Sequence, residues 1–264
     1  MPNRIENCFK RLRGEKRRGF IPYICAGDPT LQQTVELSLA LEKAGADILE
    51  LGLPFSDPLA DGIVNQLAAQ RALSAGASVR GVLDCVREIR KKSQIPIVLY
   101  TYMNPLFQFG WDKFHDEASS AGVDGLLILD LPPEEDTAVT ATGLIHIRLI
   151  APTTPPDRMA RIARTAKGFI YYVSREGVTG ARDGLAESLS ERTNELRKLS
   201  SLPIAVGFGI STPDQAREVA QKADAVVVGS AIVAQVAEHG AKPDLIERVV
   251  AVVRPMVEAV KEVR

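Results

Sequence analysis

The sequence predicts an α/β protein of the closed (β/α)8 class, with an extra N-terminal helix and long loops after its second and sixth strands. Three observations lead there. Eight short runs rich in Val, Ile and Leu recur along the 264 residues, and such near-continuous apolar runs suit parallel strands covered by helices. Most of them are separated by segments of helical spacing. Eight such units also fill roughly the ~250 residues that a barrel needs. The rival is an open, doubly wound sheet. That fold wants a G-x-G-x-x-G turn after its first strand, whereas the first run here ends in AGDP.

Residues 2–13 predict a short helix ahead of the first strand, GFIPYICAG (19–27). TLQQTVELSLALEKAG (30–45) follows with apolar positions close to the ~3.6-residue helical period. ADILELG (46–52) is the second strand. A long connection, 53–75, then precedes a helix over 76–92 and the third strand, IPIVLYTY (95–102). GVDGLLILD (122–130) leads into a short stretch, 131–145, whose helix is expected to be abbreviated. GLIHIRLIAP (143–152) and GFIYYVS (168–174) are strands five and six. The second long connection, SREGVTGARDGLAESLS (174–190), follows strand six. LPIAVGFG (202–209) is next. TPDQAREVAQKA (212–223) opens as a helix should, with Thr as cap and Pro behind it. ADAVVVGSA (223–231) is the last strand. A final helix, 244–263, carries Pro255 as an expected kink. No Gly-, Ser- or Pro-rich linker divides the chain, so 1–264 is expected to be one catalytic barrel domain. The repetition reads as one of architecture, not of a copied motif.

The 32 basic and 33 acidic residues leave a net charge of -1, so no field attracts nucleic acid. The basic run KRLRGEKRR (10–18) is expected to be solvated. Three cysteines, Cys8, Cys25 and Cys85, form no disulfide or zinc spacing, which suits reduced thiols. No apolar run approaches the ~20 residues of a membrane span, and the N-terminal residues lack a signal-peptide core. A cytoplasmic protein is the expectation.

The ends of the strands carry the chemistry. Strand seven ends in GFG (207–209) and strand eight in VGSAIV (228–233). Glycines there let backbone amides approach an anion, Ser230 is placed to cap a short helix, and helix N-termini favour phosphate. Alternation along ADILELG turns Glu50 to the barrel axis together with Ile48 and Gly52. A carboxyl there loses hydration, which raises its pKa toward that of a neutral-pH proton carrier. The alternative is a buried ion pair, with Arg148 or Arg175 as partner. Asp61 lies in the loop above, and Asp57 reads as a turn cap or interface residue. No lysine ends a predicted strand, which disfavours a Schiff base. His115, His146 and His239 do not make a zinc set, and no metal is expected. His146 reads as a satisfied core residue. Tyr23, Tyr100, Tyr102, Leu127, Tyr171 and Phe208 fall near strand tips and suit a flat apolar ligand; of the adjacent Tyr171 and Tyr172 only one can face inward. The residues alone leave open lyase, isomerase or epimerase chemistry on a phosphorylated ligand.

The motifs GFIPYICAGDP, DILELGLPFSDPLADG, TYMNP, DLPPEE, YVSREGVTG, VGFGIS and VVVGSAIV together resemble the tryptophan synthase alpha chain family, in order and over essentially the whole length. The resemblance implies a (β/α)8 barrel and retro-aldol cleavage of indole-3-glycerol phosphate to indole and glyceraldehyde 3-phosphate without metal or cofactor. It makes Glu50 the acid–base group and Asp61 the partner of the indole N–H. It places Gly180, Gly207, Gly209, Gly229 and Ser230 at the phosphate. Tyr23, Leu127, Tyr171 and Phe208 match the pocket region, and Arg175 and Thr179 the mobile loop. Pro54, Asp57, Asn104 and Pro132 match the surface facing a pyridoxal-phosphate-dependent beta chain in an α2β2 complex, where exposed Leu106 and Phe107 would also sit. Four residues depart from the pattern. Ile63 replaces a proline, which is expected to loosen the loop holding Asp61. Asn65 puts an amide in the ring pocket, Cys25 stands where threonine is common, and Tyr100 where leucine is often found.

Overall fold

The computed structural model describes residues 3–136, 142–173, 182–207 and 209–264, with 182–188 described by backbone alone. In chain order the first half comprises α1 (Arg4–Gly14), β1 (Gly19–Cys25), α2 (Leu31–Ala44), β2 (Leu49–Gly52), α3 (Ile63–Ser74), α4 (Val79–Arg90), β3 (Ile97–Thr101), α5 (Met103–Phe109), α6 (Trp111–Ala121) and β4 (Gly125–Ile128). The second half comprises β5 (Ile145–His146), β6 (Arg148–Ile150), α7 (Pro156–Thr165), β7 (Ile170–Val173), α8 (Arg182–Leu199), β8 (Ile204–Gly207), α9 (Pro213–Ala220), β9 (Ala225–Val228), α10 (Ser230–His239) and α11 (Leu245–Lys261).

All neighbouring strands are parallel, in the order β5-β4-β3-β2-β1-β9-β8-β7-β6. The two outer members, β5 and β6, are halves of the single expected strand 143–152, parted only at Ile147. The covalent chain therefore joins the sheet's two edges and closes the barrel. Along β2 the side chains alternate as the sequence requires. Ile48 packs in the barrel interior with Ile21, Val98 and Val227, while Leu49 and Leu51 pack outward beneath the helices. The N-terminal helix, α1, plugs the bottom of the barrel with Ile5, Phe9 and Leu12; Phe9 meets Phe169 with ring centroids 5.5 Å apart.

Capping chemistry sets the helix boundaries. Thr30 accepts the N–H of Gln33 at the start of α2, and Gly45 ends it at φ 111°, a conformation that favours glycine. Thr212 and Gln215 form a reciprocal capping box on α9, with Pro213 in its first turn. Pro255 lies inside α11, which continues through it. The expected helix 76–92 begins after Ser78, which caps α4.

Three expectations need correction. The connection 53–75 is not all loop, since its second half is α3. Gly62 caps that helix without a side-chain hydrogen bond, so the usual start signal is missing from the sequence. Leu106 is not exposed: residues 103–109 form α5, which turns Leu106 fully inward and leaves Phe107 outside. There is also a copied local motif. Asp47, Asp124 and Asp224 each precede a strand, and each carboxylate accepts a backbone N–H from the neighbouring strand start: Phe20, Ile97 and Ile204 respectively. Each also pairs with arginine: Asp47 with Arg11, Asp124 with Arg4 and Arg90, Asp224 with Arg18 and Arg197. These pins lie at the N-terminal ends of the strands, away from the face that carries the candidate site.

Candidate active site

At the C-terminal ends of the strands lies a cavity of about 250 Å³. Tyr23 comes to it from β1, Glu50 from β2, Tyr100 from β3, Tyr171 from β7 and Val227 from β9. Asp61 to Asn65 close one side, and Gly209, Gly229 and Ser230 the other.

Glu50 is only 2% exposed. Among the described residues it has no hydrogen-bond or ion-pair partner. Burial pushes its carboxyl up from 4.5 to about 8, with a smaller contribution from the charge of Asp61. Arg148 is excluded as its ion-pair partner by geometry, because it is committed to Asp136, which also meets His146 Nδ1 at 2.8 Å. His146 in turn stacks on His115, their Nε2 atoms 3.0 Å apart. It is the satisfied buried residue that the sequence suggested.

Asp61 is held on both oxygens. The Tyr100 hydroxyl donates to Oδ1 at 2.8 Å and the Tyr102 hydroxyl to Oδ2 at 2.7 Å. Tyr102 Oη also accepts the Ala60 N–H at 3.0 Å. Burial raises both phenols well above the usual tyrosine value, so they remain donors. Burial also raises the Cys25 thiol far above its usual value, which removes it as a nucleophile.

The glycines divide by role. Gly209 has φ 73°, which favours glycine. A Cβ on Gly207 would stand 2.6 Å from the Tyr171 hydroxyl and 3.0 Å from Val227 Cβ; this glycine makes room for ring packing. Gly229 occupies the cap position of α10 and Ser230 is the first helical residue, with no side-chain cap bond. Ser230 is therefore not the cap that the sequence suggested. Glycine takes that place because the strand tip runs directly into the helix, and the first helical amides have no partner within the helix. None of the described residues lining the cavity is Lys or Arg.

Other predicted positions settle as follows. Tyr171 faces the interior and Tyr172 packs outward. Leu127 is fully buried in the barrel interior and does not line the cavity. Tyr102 acts through Asp61 rather than as a wall. Pro54 is buried, which removes it as a surface residue, whereas Asp57 and Asn104 are exposed and Pro132 partly so. Arg175, Thr179, Gly180 and Phe208 lie outside the described residues. Reasoning from the sequence overlooked Val64 and Val227 as wall residues; Val227 was findable from its alternation with Ala225.

Fold and site together define a (β/α)8-barrel protein with a cavity at its C-terminal face lined by two carboxylates, one of them buried with a raised pKa. Comparison with known proteins narrows this. The tryptophan synthase alpha chain profile matches residues 9–261. The tryptophan synthase alpha chain of Opitutus terrae is 49% identical over 248 residues, 92% of this chain and 93% of that protein. That of Nitrosococcus oceani is 47% identical over 98% of this chain and 97% of its own length. A crystal structure of the alpha chain from Legionella pneumophila subsp. pneumophila superposes with a TM-score of 0.90 at 39% identity, covering 100% of this chain and 99% of that one. The chain belongs to the tryptophan synthase alpha chain family, lyase subunits that cleave indole-3-glycerol phosphate to indole and glyceraldehyde 3-phosphate in tryptophan biosynthesis. The alpha subunit needs no cofactor; pyridoxal phosphate belongs to the beta chain. No helix among the described residues is long and apolar enough to cross a membrane.

Proposed function

We propose that Glu50 and Asp61 carry this cleavage within one barrel unit. The observation that supports it is a buried carboxyl, without a partner among the described residues, lining the same cavity as a second, firmly held carboxylate. Near neutral pH Glu50 is largely protonated. It gives that proton to C3 of the indole ring, so the ring becomes an iminium and its own electron sink. Glu50, now a carboxylate, takes the proton of the adjacent glycerol hydroxyl. The hydroxyl oxygen closes to an aldehyde, the bond from that carbon to C3 breaks, and its electron pair restores the aromatic ring. Glu50 ends as it began. Asp61 accepts the indole N–H and stabilises the positive charge developing on the ring.

Gly209, Gly229 and Ser230, with Gly180, form the phosphate end, where main-chain amides at the start of α10 carry the neutralisation, and Phe208 belongs to the ring pocket. Arg175 and Thr179 belong to the loop that closes over the ligand. The protein works in the cytoplasm with a beta chain, in an α2β2 complex. Asp57, Asn104 and Pro132 contribute to that interface, together with Leu59 at 90% exposure and Phe107 at 65%, since exposed apolar side chains favour a partner. An indole-release assay on indole-3-glycerol phosphate, with and without a beta chain, tests the reading. Cleavage should be detectable alone and faster in the mixture. Undiminished turnover by Glu50→Gln would remove Glu50 from the mechanism.

A further inference from the structure

We propose that Tyr100 and Asn65 are positioning residues that fix the Asp61 carboxylate before a ligand arrives and leave Oδ2 as the site for the ligand's donor. This rests on the reading of Asp61 given above. The loop before α3 restrains its backbone through turns, with the Asp61 N–H donating to the Pro58 carbonyl at 3.0 Å, but these do not fix the carboxylate. Gly62 brings no capping side chain, and Ile63 at the first helical position leaves φ unrestricted, where a proline would lock it. Neighbouring side chains do the work instead. Asn65, one turn into α3, points Nδ2 at Asp61 Oδ1 at 3.4 Å, and Gln66 Nε2 donates to the Asp61 carbonyl at 2.8 Å. Tyr100 reaches the same Oδ1 from β3, in register with Gly52 on one side and Leu127 on the other. Its ring is braced edge-on by Tyr23, with centroids 5.1 Å apart.

Two features indicate that this arrangement is directed at the carboxylate. Asn65 Oδ1 is buried without a partner, an arrangement that costs stability. It follows from turning Nδ2 toward Asp61, because the flipped amide would set oxygen against oxygen. The donors are also unevenly shared. A carboxylate offers about four acceptor positions, two on each oxygen. Tyr100 and Asn65 occupy both on Oδ1, and Tyr102 occupies one on Oδ2. With the donors of the described residues placed, one position remains, on Oδ2, so a ring that binds must bring a single donor to that point. The two residues thereby act on both the pose and the choice of ring.

The test uses a non-cleavable indol-3-ylpropyl phosphate and its benzothiophene counterpart, in which sulfur replaces the N–H. Binding to the full chain is measured by calorimetry for Tyr100→Phe and Asn65→Leu, each alone and combined with Asp61→Asn. Tyr100→Phe should weaken the indole ligand about tenfold, as expected for a hydrogen bond to a charged group. Asn65→Leu, which removes the longer bond, should weaken it about threefold. Both residues line the cavity, so the positioning role is read in the preference for indole over benzothiophene, which should fall by these factors and should not fall further once Asp61 is Asn, while glycerol 3-phosphate binding stays unchanged. Equal weakening of both ring ligands, or an unchanged effect in the Asp61→Asn background, would overturn the positioning role. If Asp61→Asn itself fails to reduce the preference for indole over benzothiophene, the assignment of Asp61 falls instead.

Discussion

Replacing Glu50 by Gln should make the protein more stable at alkaline pH while stopping its chemistry. The folded carboxyl holds its proton until about pH 8, while the same group free in solution releases it near 4.5. Between those values the folded chain binds more protons than the unfolded one, so this residue's contribution to stability falls as pH rises. At about 1.4 kcal/mol per decade, the full loss above pH 8 amounts to about 5 kcal/mol. Water entering the cavity lowers that ceiling, so a difference of about 2–4 kcal/mol is expected. Urea unfolding of both proteins at pH 5.5 and pH 9 measures it. The native protein should lose more stability across this range than Glu50→Gln. Cleavage by the variant should drop at least ~100-fold, the usual span for general acid–base catalysis, with glycerol 3-phosphate binding retained. Parallel pH dependence in the two proteins would refute the buried, protonated state on which the mechanism stands.

Other outcomes follow from the same geometry. In the native protein kcat/KM should decline above about pH 8, as the Glu50 proton is lost; a profile flat to pH 10 would contradict this. Gly207→Ala would set a methyl 2.6 Å from the Tyr171 hydroxyl, and should displace that ring and destabilise the fold by about 1–3 kcal/mol, read as a lowered urea midpoint. Asp124→Ala leaves the Ile97 N–H without its acceptor and the nearly buried Arg90 guanidinium without its counter-charge, with only the Gly122, Ser93 and Ile95 carbonyls to donate to, and should cost about 3–5 kcal/mol in the same assay. Phe107→Ser should leave stability within about 0.5 kcal/mol and weaken capture of a beta chain, measured by analytical ultracentrifugation; unimpaired assembly would move the interface elsewhere.

Some of this was legible in the chain alone because it depends on short-range pattern. The period-2 alternation of ADILELG already aimed Glu50 at the axis, and the eight apolar runs with helical segments between them imply a barrel. Thr212 marked a helix start through local capping. The glycine tips of strands seven and eight marked the face that carries the cavity. What stayed hidden was whatever depends on partners distant in sequence. Leu106 looked like surface because only the packing of α5 turns it inward. Ser230 looked like a cap because only the strand-to-helix geometry hands that position to Gly229. The three aspartate pins share so short a signature that their likeness shows only when each is seen gripping the adjacent strand.

The clearest division lies at Asp61. The sequence determined that an acid stands in a glycine-closed loop after strand two, and that Ile63 weakens the loop's own restraint. Only tertiary structure decided that the acid is nonetheless held, because Tyr100 and Tyr102, roughly forty residues away in the chain, are carried by the neighbouring strand to its two oxygens. Likewise, sequence alternation pointed Glu50 inward, but only closure of the barrel buried it without a cation partner among the described residues, and that desolvation is what raises its carboxyl to about 8.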